Sequence, residues 1–196
     1  MEKFNIVMLG APGSGKGTQA KIMAERFNLA HISTGDLFRK QIASGNALGR
    51  EAQSYIDRGE LCPDSLTINM LHNFLHQFPM VRGHIFDGVP RTIQQAEMLD
   101  GIGYPTPLPL NMVINLNVDQ DEITRRMIKR GEIEGRSDDS PEIIKKRIAN
   151  YFAQTKPLET FYQNKGILYQ VNGMDSVENI SDAIAEIVSK HLNIQP

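Results

Sequence analysis

Short apolar runs alternate along the chain with longer stretches in which apolar residues recur every three or four positions. The runs occupy residues 4–9, 31–33, 84–86, 112–116 and 167–171. Runs of this length are typical of strands buried on both faces, whereas the longer spacing is typical of the helices that cover such strands. The alternation predicts an α/β fold of three layers, in which a five-stranded parallel sheet lies between helices.

One departure from this alternation lies between the second and third runs. Residues 34–78 indicate three successive helices with no strand between them, and the breaks fall at Gly45–Asn46 and at residues 59–63. A chain of 196 residues is long enough for one domain with a buried core. We therefore expect a single domain, residues 1–196, that carries a helical insert.

A second departure is polar and contains two glycines. Residues 131–140 lie between a helix that begins near Asp119 and another that begins at Pro141 with Ser140 as its N-cap. Long polar loops in compact domains are usually functional or disordered. We interpret this stretch as a mobile flap, with Gly131 and Gly135 flanking its moving backbone.

Composition excludes several classes of partner. The chain has a formal net charge of -2, from 21 Lys+Arg and 23 Asp+Glu. This charge gives no broad basic surface for nucleic acid or an acidic membrane, so any polyanion must meet a local cluster. The N-terminal apolar run is too short for a secretory signal, and no apolar stretch is long enough to cross a bilayer.

The cysteine and histidine content argues against a zinc site. The one cysteine, Cys62, cannot form an internal disulfide or a multi-cysteine zinc site, and it suits a reducing cytoplasm. The five histidines, His31 among them, show no spacing typical of metal ligands and are interpreted as structural. We expect a cytoplasmic protein that holds no zinc.

A glycine-rich loop directly follows the first apolar run and precedes a helix. Small residues let backbone N–H groups converge on a polyphosphate, and the helix N-terminus favours negative charge. Gly17 stands where the general phosphate-loop pattern has Ser or Thr. The alternative is a flexible turn with a solvated lysine, which we consider weaker because the loop joins a strand to a helix. The predicted phosphate cradle comprises Gly13, Ser14, Gly15, Lys16, Gly17 and Thr18.

Polar residues also follow the second and third apolar runs in the chain. Asp87 ends the third run, and in parallel sheets ligands gather at such carboxyl ends, so this carboxylate is a candidate for organising hydrated magnesium. Its alternative is a turn-forming Asp-Gly. Arg91 and Arg39 are interpreted as phosphate contacts, whereas Thr34 and Asp36 are candidates for simple helix capping.

Basic residues surround the flap. Arg125 and Arg126, on the helix before it, are predicted to face solvent. Three further arginines suggest a lid that brings positive charge over bound phosphates, and the alternative is a surface loop held by Asp138 and Asp139. The two interpretations are compatible, because these aspartates can pair with the arginines when the lid closes. The three candidate lid residues are Arg130, Arg136 and Arg147.

Together these segments resemble the adenylate kinase family. The motifs that carry the resemblance are GAPGSGKGTQ at 10–19, STGDLFR at 33–39, GELCPD at 59–64, DGVPRTIQQAE at 87–97 and KRGEIEGRSDD at 129–139. The resemblance implies a P-loop NTPase fold with an AMP-binding insert at 33–62 and a short LID at 130–140. It also implies the reaction ATP + AMP ⇌ 2 ADP with Mg²⁺.

The resemblance also implies a role for each matching residue. The phosphate cradle, Arg130 and Asp175 would bind ATP, and Asp87 would hold the hydrated Mg²⁺ without direct ligation. The catalytic cations would be Lys16, Arg91, Arg130, Arg136 and Arg147. AMP would contact Thr34, Arg39, Glu60, Leu61, Cys62, Gly88, Val89, Pro90, Arg91, Gln95, Arg136 and Arg147.

The short lid implies the form of the enzyme without a zinc-bearing insert, and we expect a monomer. Val89 replaces an aromatic residue that is usual in the family, and Cys62 replaces an aliphatic one. A UMP or CMP kinase of the same family is the nearest alternative, but Thr34 and Gln95 favour AMP. A nucleotide-binding switch without kinase activity is the alternative from another class.

Overall fold

The computed structural model describes residues 4–75, 82–101 and 109–193. Its centre is a parallel sheet in the order β2-β3-β1-β4-β5. The strands are β1 (Phe4–Gly10), β2 (Ala30–Ser33), β3 (Gly83–Asp87), β4 (Leu110–Asn117) and β5 (Leu168–Asn172). The predicted α/β fold with five parallel strands is confirmed, and each predicted strand lies within two residues of its observed position at both ends.

Nine helices are seen in the described ranges. Two of them cover one face of the sheet and most of the others cover the opposite face. They are α1 (Lys16–Phe27), α2 (Thr34–Ala43), α3 (Ala47–Ile56), α4 (Asp64–Leu75), α5 (Ile93–Asp100), α6 (Gln120–Glu134), α7 (Pro141–Asn150), α8 (Pro157–Asn164) and α9 (Val177–Leu192).

The first strand shows why the sheet is buried on both faces. Successive side chains of a strand point to opposite faces, and Ile6 packs in one core cluster whereas Val7 packs in the other. The Ile6 face is covered by α1 and α9, and the Val7 face by the helices of the insert together with α5 and α8. Helices therefore cover both faces of the sheet, as its mostly apolar strands predict.

The insert consists of α2, α3 and α4, as predicted for residues 34–75; residues 76–78 of that prediction lie outside the described residues. The Ser33 hydroxyl caps α2 by accepting from the Asp36 amide at 3.2 Å, and Asn46 caps α3 in the same way. Capping of α2 by Thr34 or Asp36 is therefore wrong. The cap lies one residue before the helix because Ser33 retains extended backbone.

The segment predicted as a flap is shorter and more ordered in secondary structure than expected. Helix α6 continues through Gly131 to Glu134, and a short 3₁₀ turn covers Ser137–Asp139. Gly131 does not break the helix; a Cβ there would lie 3.0 Å from the Asp139 Cβ, so its glycine serves close packing. Gly135 ends α6 in the left-handed conformation, with φ 61°. Ser140 is the N-cap residue of α7, as predicted.

Between α7 and α8 the chain forms a π-helical turn at Tyr151–Thr155. Such turns are rare and contain one residue more than regular helix of the same rise. Across the described residues, every helix is too short or too polar to traverse a lipid bilayer.

Because the sheet is buried, we expect substitutions at a buried and at an exposed isoleucine to differ widely in their effect on the free energy of unfolding. Ile85, at the centre of β3, has no solvent exposure, whereas Ile133 is 72% exposed. We expect Ile85→Ala to lower the free energy of unfolding by about 2–5 kcal/mol through lost contacts and a residual cavity. The matched control Ile133→Ala should change it by less than about 0.5 kcal/mol. Urea unfolding followed by circular dichroism measures both, and equal losses would contradict this account of the core.

Candidate functional site

The carboxyl ends of three neighbouring strands bring the candidate residues to one edge of the sheet. In the parallel register Asp87 of β3 lies beside Met8 of β1 on one side and Ser33 of β2 on the other. The loop after β1, the start of α2 and the turn after Asp87 therefore share this edge. Ligands of open parallel sheets bind at such an edge.

The glycine-rich loop turns sharply before α1. Gly13 and Gly15 have φ of 80° and 92°, and a Cβ at Gly13 would lie 2.8 Å from the Met127 Cγ. Only glycine fits that position without strain. Lys16 is the first residue of α1, and its Nζ donates to the Ala11 carbonyl at 3.3 Å. The loop thus carries its one lysine over a helix N-terminus that favours anions.

The Lys16 ammonium lies among other cations. Burial lowers the pKa of Lys16 to about 8, although the Asp87 carboxylate opposes this shift; Arg91, Arg147 and Arg130 lower it further. A lysine held in this state is charged at neutral pH at an energetic cost. A bound polyanion removes that cost.

Asp87 is almost enclosed, and its carboxylate faces both Lys16 and His31. The His31 Nε2 lies 3.8 Å from an Asp87 carboxylate oxygen. Burial raises the pKa of Asp87, but His31 and the charge of Lys16 outweigh it and lower the pKa below its usual value. His31, interpreted from the sequence as merely structural, therefore belongs to the surroundings of this carboxylate.

A charged cleft runs over the loop. It is lined by Gly13, Gly15, Lys16, Gly17, Thr18 and Lys21 of the loop and α1, by His31, Ser33, Gly35, Asp36, Arg39, Asp87, Gly88 and Arg91 of the sheet edge, and by Arg126, Arg130, Glu134, Arg136 and Arg147, together with Pro12. Cations outnumber carboxylates in this lining. A cleft with this excess of positive charge attracts phosphate groups.

Ion pairs hold the 3₁₀ turn beside this cleft. Arg130 donates two hydrogen bonds to Asp139, at 2.7 and 2.8 Å, and Arg147 contacts both Asp138 and Asp139 at 2.6 Å. The Asp139 side chain has no solvent exposure. Burial lowers the pKa of Arg147 to about 10, although both aspartates oppose the shift. The predicted pairing of these aspartates with flap arginines is thus present.

Arg126 does not face solvent, and that prediction is wrong. Its guanidinium donates to the Ser14 carbonyl at 3.3 Å and to the Gly173 carbonyl at 3.0 Å. The two carbonyls come from distant segments that converge at the N-terminus of α1, which the sequence pattern of α6 does not reveal. Arg125, by contrast, has a side chain that is 70% exposed and pairs with Glu122, as expected.

A second cavity, here called the side cavity, opens from the charged cleft between the sheet edge and the insert. The two share Lys16, Arg39, Arg91 and Arg147 at their junction. Apolar groups such as Phe38 and Ile56 line it together with Thr34, Glu60, Leu61, Cys62, Thr67, Pro90, Gln95, Asn150, Tyr151 and Thr155. A partly apolar cavity beside a cluster of cations suits a ligand with a flat organic part and a phosphate.

Arg91 is held at this junction from three directions. Its backbone N–H donates to Gln95 Oε1 at 2.7 Å, its carbonyl accepts from the Thr155 hydroxyl at 2.8 Å, and its Nε donates to the Gly88 carbonyl at 2.9 Å. Burial lowers the pKa of the guanidinium from its usual value. Thr155 comes from the π-helical turn and is a positioning residue that the sequence did not indicate.

The sequence is similar to those of known proteins over nearly its full length. The sequence model of a family described as adenylate kinase matches residues 8–167. An adenylate kinase of Bacteroides fragilis is 43% identical over 185 residues, which cover 94% of this chain and 98% of that protein. An adenylate kinase of Phocaeicola vulgatus is 44% identical, over 95% of this chain and 99% of that protein. An adenylate kinase of Leptospira biflexa is 42% identical, over 93% of this chain and 98% of that protein. The chain belongs to the adenylate kinase family. The resemblance found in its motifs is confirmed.

Most residues that the adenylate kinase motifs single out line one of the two cavities. The exceptions are Ser14, Val89 and Asp175. Val89 is buried in the core, and the Ser14 side chain is buried beneath the loop. The Asp175 carboxylate accepts hydrogen bonds from the Ser176 amide and the Asn179 side chain instead. The sequence motifs thus locate the site but do not separate lining residues from supporting ones.

The lowered pKa of Lys16 predicts how ATP binding depends on pH. In the free protein the ammonium loses its proton as pH rises through about 8, whereas bound phosphates keep it protonated. We expect the ATP dissociation constant to rise by up to about tenfold for each pH unit above 8. Titration calorimetry without metal between pH 7.5 and 9.5 measures this dependence.

The control for this prediction is Lys16→Arg, because a guanidinium stays charged over the whole range. The variant should bind ATP more weakly at pH 7.5 but with a nearly flat pH profile. A flat profile for the unmodified protein would show that Lys16 is not the titrating group.

Proposed function

We propose that the chain catalyses the reversible reaction ATP + AMP ⇌ 2 ADP. The observation that supports this most directly is the junction at which the charged cleft and the side cavity share Lys16, Arg39, Arg91 and Arg147. Two nucleotides that enter from the two cavities bring their phosphates together at these cations. This arrangement suits phosphoryl transfer between the nucleotides rather than hydrolysis of one of them.

ATP occupies the charged cleft in this proposal. The amides of residues 13–18 and Lys16 bind its phosphates, and Arg130 contacts them from α6. Arg126 lies beside Gly173, two residues before Asp175, so the adenine of ATP is assigned to this end of the cleft. Residues 130–140 form the LID. Arg136, which pairs with Glu134 at 2.6 Å, turns to the transferring group when the LID closes.

AMP occupies the side cavity. Arg39 and Arg91 bind its phosphate, and Thr34, Gln95 and the backbone at Glu60, Leu61 and Cys62 surround its base. The insert, residues 33–62, supplies the wall of the cavity. Burial raises the pKa of Cys62 to about 11, so its thiol acts here as a small apolar group.

Asp87 is the residue that we propose positions hydrated magnesium. Mg²⁺ in nucleotide sites is held by one or two carboxylates and by substrate phosphates, and it keeps several waters. Asp87 would hold the hydrated ion through water and not by direct ligation. Its carboxylate stays ionised beside the loop, and one oxygen lies 3.0 Å from where a Cβ of Gly17 would be. No group of three or more acidic, histidine or cysteine residues within the described ranges forms a metal cage. When bound, Mg²⁺ would neutralise part of the charge on the phosphate groups.

The residues perform catalysis by alignment and charge. A phosphate oxygen of AMP attacks the γ-phosphorus of ATP, and because that oxygen is ionised near neutral pH no general base is needed. As the phosphoryl group leaves the β-phosphate oxygen, charge spreads over its equatorial oxygens. Lys16, Arg91 and Arg147 at the junction, joined by Arg130 and Arg136 from the LID side, stabilise this charge.

Closure of the LID excludes water, which otherwise accepts the phosphoryl group. The ion pairs of Asp138 and Asp139 keep the 3₁₀ turn close to the cleft, and mobility at Gly131 and Gly135 stays a prediction.

We also propose that the protein is a cytoplasmic monomer, in keeping with its one cysteine and with the presence of both nucleotide cavities in a single chain.

The experiment that tests the function compares nucleoside monophosphates as phosphate acceptors. We expect purified chain with MgATP to phosphorylate AMP with a kcat/KM at least about 100-fold above that for UMP or CMP. Chromatographic separation of the nucleotides measures each product. A preference for UMP or CMP would identify a pyrimidine kinase, and slow ADP formation without any acceptor would identify a hydrolytic switch.

The proposed role of Arg136 predicts a selective loss of activity. We expect Arg136→Ala to reduce kcat by about 100-fold or more, because one preorganised charge at the transferring group is lost. Its circular dichroism spectrum should be unchanged, since the side chain pairs with Glu134 and holds no core element. The matched control is Arg125→Ala on the exposed side of α6, which should retain full activity. Near-normal turnover of the Arg136 variant would refute this role.

A further inference from the structure

Gln95 faces the side cavity from α5, yet both ends of its amide are hydrogen-bonded within the protein. Its Oε1 accepts from the Arg91 backbone N–H at 2.7 Å, and its Nε2 donates to Asp64 Oδ1 at 2.8 Å. The residue is only 2% exposed. Its amide is therefore held in place before any ligand enters.

The chemistry of the two partners allows one orientation of this amide. A backbone N–H can only donate, so it must meet the amide oxygen; a carboxylate can only accept, so it must meet the amide nitrogen. Turning the Gln95 amide over would place N–H against N–H at Arg91 and oxygen against oxygen at Asp64. Each partner thus opposes the flipped state independently.

Asp64 is itself held in position. It is the first residue of α4, and its second oxygen, Oδ2, accepts from the Thr92 hydroxyl at 3.0 Å. The same hydroxyl caps α5 by accepting from the backbone N–H of Gln95 at 3.0 Å. Asp64, Thr92 and Gln95 therefore close a ring of hydrogen bonds between the first residue of α4 and the turn that carries Arg91.

We propose that Asp64 is a positioning residue that holds the Gln95 amide in one orientation and thereby sets which nucleoside monophosphates the side cavity accepts. The inference rests on the proposed assignment of that cavity to the monophosphate. Asp64 acts through Gln95 and does not line the cavity itself.

The fixed amide selects bases by hydrogen-bond polarity. After its internal bonds, Gln95 keeps one N–H donor and one acceptor lone pair for a ligand. Adenine offers the complementary pair, an acceptor at N1 and a donor at its amino group. Hypoxanthine offers the reverse, an N1–H donor and a carbonyl acceptor. A freely turning glutamine would accept both bases, whereas one held by Asp64 accepts adenine and leaves groups unpaired with hypoxanthine.

The test compares AMP with inosine monophosphate, which has nearly the same shape. We expect Asp64→Ala to lower the ratio of kcat/KM for AMP to that for inosine monophosphate by ~10-fold, the effect of one hydrogen bond. The KM for AMP should rise while the KM for ATP stays unchanged. Asp64→Asn retains an acceptor oxygen and should keep the ratio within about threefold of the original.

Two further variants separate a positioning effect from other causes. Asp121→Ala removes an exposed aspartate from the first turn of α6, so it controls for the loss of negative charge at a helix N-terminus and should leave the ratio unchanged. Gln95→Leu removes the proposed base contact and should abolish the preference for AMP. Calorimetric binding of both monophosphates to each variant gives the same comparison without turnover.

The outcomes distinguish the two proposals. An unchanged ratio in Asp64→Ala, together with a lost preference in Gln95→Leu, would overturn the positioning role of Asp64. An unchanged ratio in Gln95→Leu would instead overturn the assignment of the side cavity to the base. If Asp64→Ala fails to fold, an Asp64→Asn variant with a tenfold lower ratio would contradict the role of the acceptor oxygen.

Discussion

Repulsion among cations is the constraint on which the rest of this structure depends. Lys16, Arg91 and Arg147 meet where the charged cleft joins the side cavity, and burial lowers the pKa of each. A fold tolerates such a cluster only when carboxylates offset part of the charge and other contacts hold each cationic side chain in place. Asp87 offsets the charge at the sheet edge, and Asp138 and Asp139 do so at the 3₁₀ turn. The remaining positive charge is then available to phosphate.

Contacts with several segments hold these cations in position. The backbone of Arg91 is held by Gln95 on one side and Thr155 on the other, and the insert is joined to α7 by a hydrogen bond from Asn150 to the Gly59 carbonyl at 2.9 Å. The groups that we propose bind phosphate and the groups that hold them come from different segments. The site is therefore a property of the whole fold and not of the glycine-rich loop alone.

The features that local pattern encodes could be predicted from the sequence. Buried strands give short, mostly apolar runs, so the five strands could be predicted. The three helices of the insert could be predicted from their longer apolar spacing and from the breaks between them. The glycine-rich loop and Asp87 follow from their position after strands. Motifs shared with a family then indicate the arginines, because they specify which of many charged residues meet at one site.

Features that depend on contacts between distant segments could not be predicted in this way. Arg126 has the spacing of a solvated helix face, and only the approach of Ser14 and Gly173 turns it toward the loop. The sequence around Gly131 is typical of a helix break. In the structure the helix continues, and glycine is needed there because a side chain would approach Asp139 too closely. The π-helical turn after α7 is a similar case. Its five residues take the place of about four residues of regular helix, so deleting one would restore regular helix with little rotation of α8 relative to α7. The deletion would instead shift or remove Thr155, whose hydroxyl donates to the Arg91 carbonyl, so a change in length here would act on the support of the site and not on the packing of α8.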